Sequence, residues 1–180
     1  MKIIIAIVVM CLALAIAFSY NFFSKLQRGT KIIESWETSN KSFKVGVTAY
    51  AEENGGFVPG AYYVFRSITA GSDNWQEIFT FRHDDPVPIP YQQVRFLNDK
   101  VGYLFMGWMY AVTLDAGSSW SVWSAEKDLP RWECCNYRLI QDVGIAPDGS
   151  GTMQLRPIPE RAGEVPKLHT KDYGRHWSPE

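Results

Sequence analysis

Histidine and cysteine are scarce in this chain, three of each in 180 residues, and no block of like charge stands out, the formal net charge being −1. Without a basic patch the sequence has no electrostatic footprint for a nucleic acid, and that class of partner is set aside. The three histidines, His83, His169 and His176, are far from any cysteine at metal-ligand spacing. That leaves His83-Asp84-Asp85 as the candidate metal or acid–base cluster. A solvated loop ahead of Pro86-Val87-Pro88-Ile89-Pro90 is the competing and favoured reading, so no metal and no cofactor is expected. Cys11 lies in an apolar N-terminal run, and Cys134 and Cys135 are adjacent. Neighbouring cysteines reach normal disulfide geometry with each other poorly. A strained vicinal bond, a bond to another chain and burial as reduced thiols stay open, with burial the commonest state of a free cysteine.

Aromatic residues, in contrast, are plentiful at 14% of the chain, with seven tryptophans. Together with frequent Gly and Pro they favour strands over helices, and an all-β domain is expected. The apolar run Ile3 to Phe18 after Lys2, continued by Tyr20, Phe22 and Phe23, reads as one N-terminal helix over residues 1–23. It is either a transmembrane anchor or a signal peptide, since Ala15-Ile16-Ala17 has the small-x-small form that signal peptidase cuts. Lys25, Arg28 and Lys31 follow the span and would favour the cytoplasm, whereas the basic start and apolar core are those of an export signal. The expected location is the bacterial inner membrane, single-pass, with the domain in the periplasm; secretion after cleavage is the alternative. Residues 24–41 read as a juxtamembrane linker with a short helix, in which Trp36 is an interfacial anchor or packs on the domain edge. Residues 42–180 read as the β domain.

One pattern organises that domain. Thr113-Leu114-Asp115-Ala116-Gly117-Ser118-Ser119-Trp120 returns as Thr170-Lys171-Asp172-Tyr173-Gly174-Arg175-His176-Trp177, each reading [Ser/Thr]-x-Asp-x-Gly-x-x-Trp. The spacing suits a tight turn between strands: the hydroxyl residue ends one strand, the carboxylate accepts local N–H groups, Gly takes positive φ, and Trp opens the next strand with its ring in the core. Both copies follow a strand–turn–strand run, Val94 to Phe105 and Val143 to Met153, in which Asp99 and Asp148 sit equally far before the Gly that opens the next strand. A degraded third copy runs from Ser67 to Trp75, with Thr69 in place of Asp. Long connections at 83–90, 124–136 and 157–166 are where binding sites tend to lie.

These residues resemble the Asp box of the bacterial neuraminidase repeat, found in β-propellers such as sialidases, sortilin-like receptors and photosystem assembly factors. The resemblance implies antiparallel sheets from about three repeats. It assigns Thr113, Asp115, Gly117, Trp120, Thr170, Asp172, Gly174 and Trp177 to structural turns on the outer rim. Three repeats fall short of the about four to eight blades of a closed propeller, so a partial propeller or sandwich-like packing is expected.

The functional expectation is a non-enzymatic, membrane-tethered domain that binds a protein partner. By size, export signal and degenerate Asp boxes the chain is also similar to membrane-bound immunity proteins that neutralise type VI secretion effectors, which implies a secreted effector as partner. A membrane-complex subunit, as for an assembly factor, is a second partner. A glycan-binding or sialidase-like role is the alternative, with Trp108, Tyr110, Trp123 or Trp132 as stacking platforms. Platforms must face a groove, and core residues must not.

Overall fold

The computed structural model describes residues 32–51, 60–83, 93–129, 139–156 and 167–179. The N-terminal apolar run, Asp84, Asp85, Trp132, Cys134 and Cys135 lie outside them, as do most of the three long connections. Among the described residues no helix is long and apolar enough to cross a membrane.

Among the described residues twelve strands follow one another in chain order: β1 (Ile32–Ser39), β2 (Phe43–Ala51), β3 (Ala61–Thr69), β4 (Gln76–His83), β5 (Val94–Phe96), β6 (Gly102–Met106), β7 (Met109–Thr113), β8 (Ser121–Ser124), β9 (Ile140–Ile145), β10 (Gly151–Leu155), β11 (Lys167–Thr170) and β12 (Ser178–Pro179). One helical turn, α1 (Ala125–Asp128), follows β8. The strands make three four-stranded antiparallel meanders, β1-β2-β3-β4, β5-β6-β7-β8 and β9-β10-β11-β12, hereafter sheets 1, 2 and 3. The all-β expectation holds, with one meander for each copy of the pattern.

Period-two alternation explains the strands of the two outer sheets. In β2, Phe43, Val45, Val47 and Ala49 are buried while Lys44 is exposed. In sheet 3, Val143, Ile145, Met153, Leu155 and Leu168 are buried while Asp142, Thr152 and Gln154 are exposed. Strand β6 is instead buried at every position, the mark of a strand covered on both faces. Leu104 and Met106 join one core with Phe43, Val47, Tyr63, Phe65 and Phe81 of sheet 1. Tyr103 and Phe105 join a second core with Val143, Met153, Leu155 and Leu168 of sheet 3. Sheet 2 therefore lies between the other two, and the half-buried Trp108, after β6, touches both cores.

The start of the domain is earlier than the sequence suggested. Residues 32–39, read as linker with a short helix, form β1, paired along β2 from Ile32↔Tyr50 to Ser39↔Lys44. As an edge strand with one face open it tolerates the polar Glu34, Ser35, Glu37 and Thr38 that made it read as a linker. Trp36 lies opposite Val47 and packs on the first core, the edge-packing reading of that residue.

Leu104 is fully buried between sheets 1 and 2. Leu104→Ala should lower unfolding free energy by about 2–5 kcal/mol, the usual range for a core truncation, measured by denaturant titration.

Candidate functional site

The two [Thr]-x-Asp-x-Gly-x-x-Trp stretches, here termed Asp turns, fold alike. Thr113 ends β7 and Thr170 ends β11; Trp120 precedes β8 and Trp177 precedes β12. In the first, Thr113 Oγ1 donates to Asp115 Oδ1 (2.8 Å) and accepts from the Gly117 N–H (2.9 Å). Asp115 also accepts from the Ser119 N–H (2.9 Å) and the Ser119 hydroxyl (2.6 Å). In the second, Thr170 Oγ1 donates to Asp172 Oδ1 (2.8 Å) and accepts from the Gly174 N–H (2.9 Å). Asp172 accepts from the His176 N–H (3.1 Å), and its Oδ2 lies 2.6 Å from His176 Nδ1. The glycines have φ of 79° and 83°, as the pattern requires, and the residues before them, Ala116 and Tyr173, are also left-handed at 57° and 63°.

These bonds set the charge state of both carboxylates. Burial pushes Asp115 upward, but the hydrogen bonds from Ser119 and Thr113 outweigh it and hold the group below its ordinary value. The same opposition at Asp172, with His176 and Thr170 as donors, brings it down to about 2.

Each Asp turn is tied to the first hairpin of its own sheet. The Ala116 N–H donates to Lys100 O (2.9 Å) and the Tyr173 N–H to Gly149 O (2.8 Å). In sheet 1 the Ala70 N–H donates to Ser42 O (2.7 Å), so the degraded copy keeps this bond at the corresponding position. A side chain caps each of those first hairpins: Asn40 Oδ1 accepts from the N–H groups of Ser42 and Phe43, Asn98 Oδ1 from those of Lys100 and Val101, and Asp148 Oδ1 from that of Ser150. The sequence pointed to Asp99 beside Asp148; the capping residue is its neighbour Asn98, and Asn40 does the same in sheet 1. An Asx side chain two residues ahead of the backbone N–H that donates to it was the available signal.

The Asp turns are also seated on the sheet before them. Gly117 lies against Phe43, where a Cβ would come within 3.0 Å of that ring, and Trp120 meets Phe43 edge-on at 6.2 Å. Gly174 lies against Tyr110, where a Cβ would come within 2.6 Å, and Trp177 meets Tyr110 edge-on at 5.4 Å. The Tyr110 hydroxyl donates to Tyr173 O (2.7 Å), and burial pushes that phenol's pKa well up, keeping it a donor. In the degraded copy Ser67 has no Asp to engage. It turns to sheet 2, donating to Gly117 O (3.1 Å) and accepting from Trp120 Nε1 (2.9 Å).

The proposed binding residues are thus divided. Tyr110 and Trp123 are 0% and 6% exposed, which corrects their reading as stacking platforms: both serve the second core. Trp108 packs edge-on against Phe81 at 4.8 Å. His83 is half-buried at the end of β4 beside the same ring. Among the described residues no group of three His, Cys, Asp or Glu side chains is placed to hold a metal ion. Among the described tryptophans the most exposed is Trp75 of the degraded copy, at 40%. It lines a cavity of about 410 Å³ with Asn40, Lys41, Lys44 and the turn Thr69 to Asp73. The sequence signal that sets this copy apart is the missing Asp at position 69.

No known protein family, curated protein or solved structure matches this chain.

Asp172→Ala should destabilise the domain by about 1–3 kcal/mol by leaving the Thr170 hydroxyl and the His176 N–H without their acceptor, read as a lower thermal midpoint. Because the folded-state pKa is lowered, the stabilisation is fully present above the unfolded carboxyl value of about 3.9 and is lost as pH falls through about 2. Asp172→Asn should flatten the loss of stability over that acid range.

Proposed function

We propose that the chain is a non-enzymatic, membrane-tethered β domain that acts by binding another protein at the outer side of the bacterial inner membrane. Three consecutive meanders, with the turns between third and fourth strands of sheets 2 and 3 each seated on the sheet before, support reading the domain as three blades of Asp-box propeller type. The apolar run Ile3 to Phe18 supports the tether.

The observation that carries the binding role is the unequal character of the two terminal sheets. Sheet 3 turns Asp142, Thr152 and Gln154 to solvent, so its outer face is polar. Sheet 1 and its turn carry Ile32, Ile33 and Trp75, three of the four exposed large hydrophobic residues among those described. The half-buried Tyr50, Val64 and Ile68 share its outer face. Apolar and aromatic residues collected at one end of a stack, with polar residues at the other, are what a protein interface provides. A secreted effector, as for an immunity protein, and a membrane-complex subunit, as for an assembly factor, are the two partner classes this role admits.

Affinity capture with the full-length chain extracted from membranes tests the reading. The expected result is one stoichiometric partner, lost when Ile33→Asp places a charge on the exposed end of sheet 1 while the melting midpoint stays the same. A secreted enzyme or toxin would identify an immunity protein, and a resident membrane subunit an assembly factor. Capture of no stoichiometric protein by the unaltered chain would contradict the proposal.

A further inference from the structure

Trp75 departs from its two counterparts for a reason that lies in the order of the sheets. Trp120 packs on sheet 1 and Trp177 on sheet 2, each on the sheet before its own. Among the described residues no sheet precedes sheet 1, so the equivalent tryptophan has no such seat. Its indole lies instead on the outer face of sheet 1 over Gly46, where a Cβ would come within 3.1 Å of the ring. Glycine at 46 is what lets the ring lie that close to the strand.

The indole becomes one wall of the cavity, and the other walls are polar. Lys41 from the β1–β2 turn and Lys44 from the outer face of β2 both line it and both are exposed. Asp73 lines it from the turn ahead of Trp75. None of these three has an ion-pair partner among the described residues. The Asn40 side chain, by contrast, is committed, accepting from Ser42 and Phe43 and donating to Asn98 O (3.0 Å). The Ala70 N–H bond to Ser42 O joins the β1–β2 and β3–β4 turns and so fixes the two sides of the cavity against each other. Two ammonium groups against one carboxylate give the concavity a net positive charge beside an aromatic surface, and concave walls concentrate that field.

We infer that this cavity is the anchoring pocket for an acidic peptide segment of the protein partner, so the inference rests on the protein-binding role proposed above. A carboxylate of the segment takes Lys41 and Lys44, and an adjacent aromatic or aliphatic side chain lies on the free side of the Trp75 indole. Asp73 accepts a backbone N–H of the segment. A volume of about 410 Å³ accommodates a few side chains, which fits an anchor inserted from a larger interface.

The test uses the full-length chain in detergent and fluorescence anisotropy of a labelled peptide with two adjacent aspartates beside a phenylalanine, flanked by glycine and serine. Two counterparts carry asparagine for aspartate, or alanine for phenylalanine. The acidic aromatic peptide should bind at least about tenfold tighter than either counterpart. Its affinity should fall at least about tenfold in Lys41→Gln/Lys44→Gln and in Trp75→Ala, and should fall as salt rises from about 50 to about 300 mM. Equal binding of all three peptides, no binding of any, or unchanged affinity in both variants would overturn the inference. Affinity capture separates it from the wider role: a partner retained by Lys41→Gln/Lys44→Gln and by Trp75→Ala but lost in Ile33→Asp removes the pocket and leaves the interface, whereas no partner on the unaltered chain removes both.

Discussion

A threonine hydroxyl held between an aspartate and a glycine N–H is the constraint from which the architecture of sheets 2 and 3 follows. Thr113 and Thr170 each spend their hydroxyl hydrogen on the Asp and their lone pair on the Gly, and each Asp then holds the N–H two residues past that Gly. The turn so closed has two successive left-handed residues and a flat glycine surface on one side. That surface allows an aromatic ring of the preceding sheet to approach, Phe43 under Gly117 and Tyr110 under Gly174. The tryptophan at the end of the pattern then packs edge-on against the same ring. Local hydrogen bonding and the contact between sheets are therefore consequences of one short stretch of sequence. Further ties between sheets 2 and 3 come from Arg95, which donates to Val143 O (2.8 Å) and pairs with Asp142 (3.0 Å). Both of those charged side chains are well exposed, so the pair adds little to stability beside the buried cores.

The features legible in the sequence were those whose cause is local. Thr, Asp and Gly at fixed spacing meet one another within a single turn, so their roles could be read from the spacing alone. Alternation along β2 is visible in the sequence, because one of its faces is buried and the other is not. What depends on distant partners was not legible. Strand β1 read as a linker because an edge strand has one open face and tolerates charge there. Tyr110 and Trp123 read as surface platforms because nothing in β7 or β8 says that sheet 3 covers them. Nor did the degraded copy announce that Ser67, released by the change from Asp to Thr69, serves the turn of the following sheet.

The first copy, with Thr69 in place of the Asp, shares one feature with the other two and lacks another. It keeps the backbone bond from Ala70 to Ser42 that each sheet has between its first hairpin and its third turn, so the repeat survives as architecture. It also leaves Trp75 outside the core and Lys41, Lys44 and Asp73 without ion pairs among the described residues, so the turn is open to a ligand. The pocket proposed at this copy follows the general pattern that sites arise where local rules are relaxed. In the middle and last copies the same positions are taken up by structure.

Whether the Asp turns join one sheet to the next is measured most directly by a double-mutant cycle between Ser67 and Trp120. Ser67→Ala, Trp120→Phe and the double variant are compared by denaturant unfolding of the full chain. If the hydrogen bond between the Ser67 hydroxyl and the Trp120 indole couples sheet 1 to the turn of sheet 2, the two substitutions will be non-additive by about 0.5–3 kcal/mol. Additive losses, with no coupling energy beyond experimental scatter, would contradict the account.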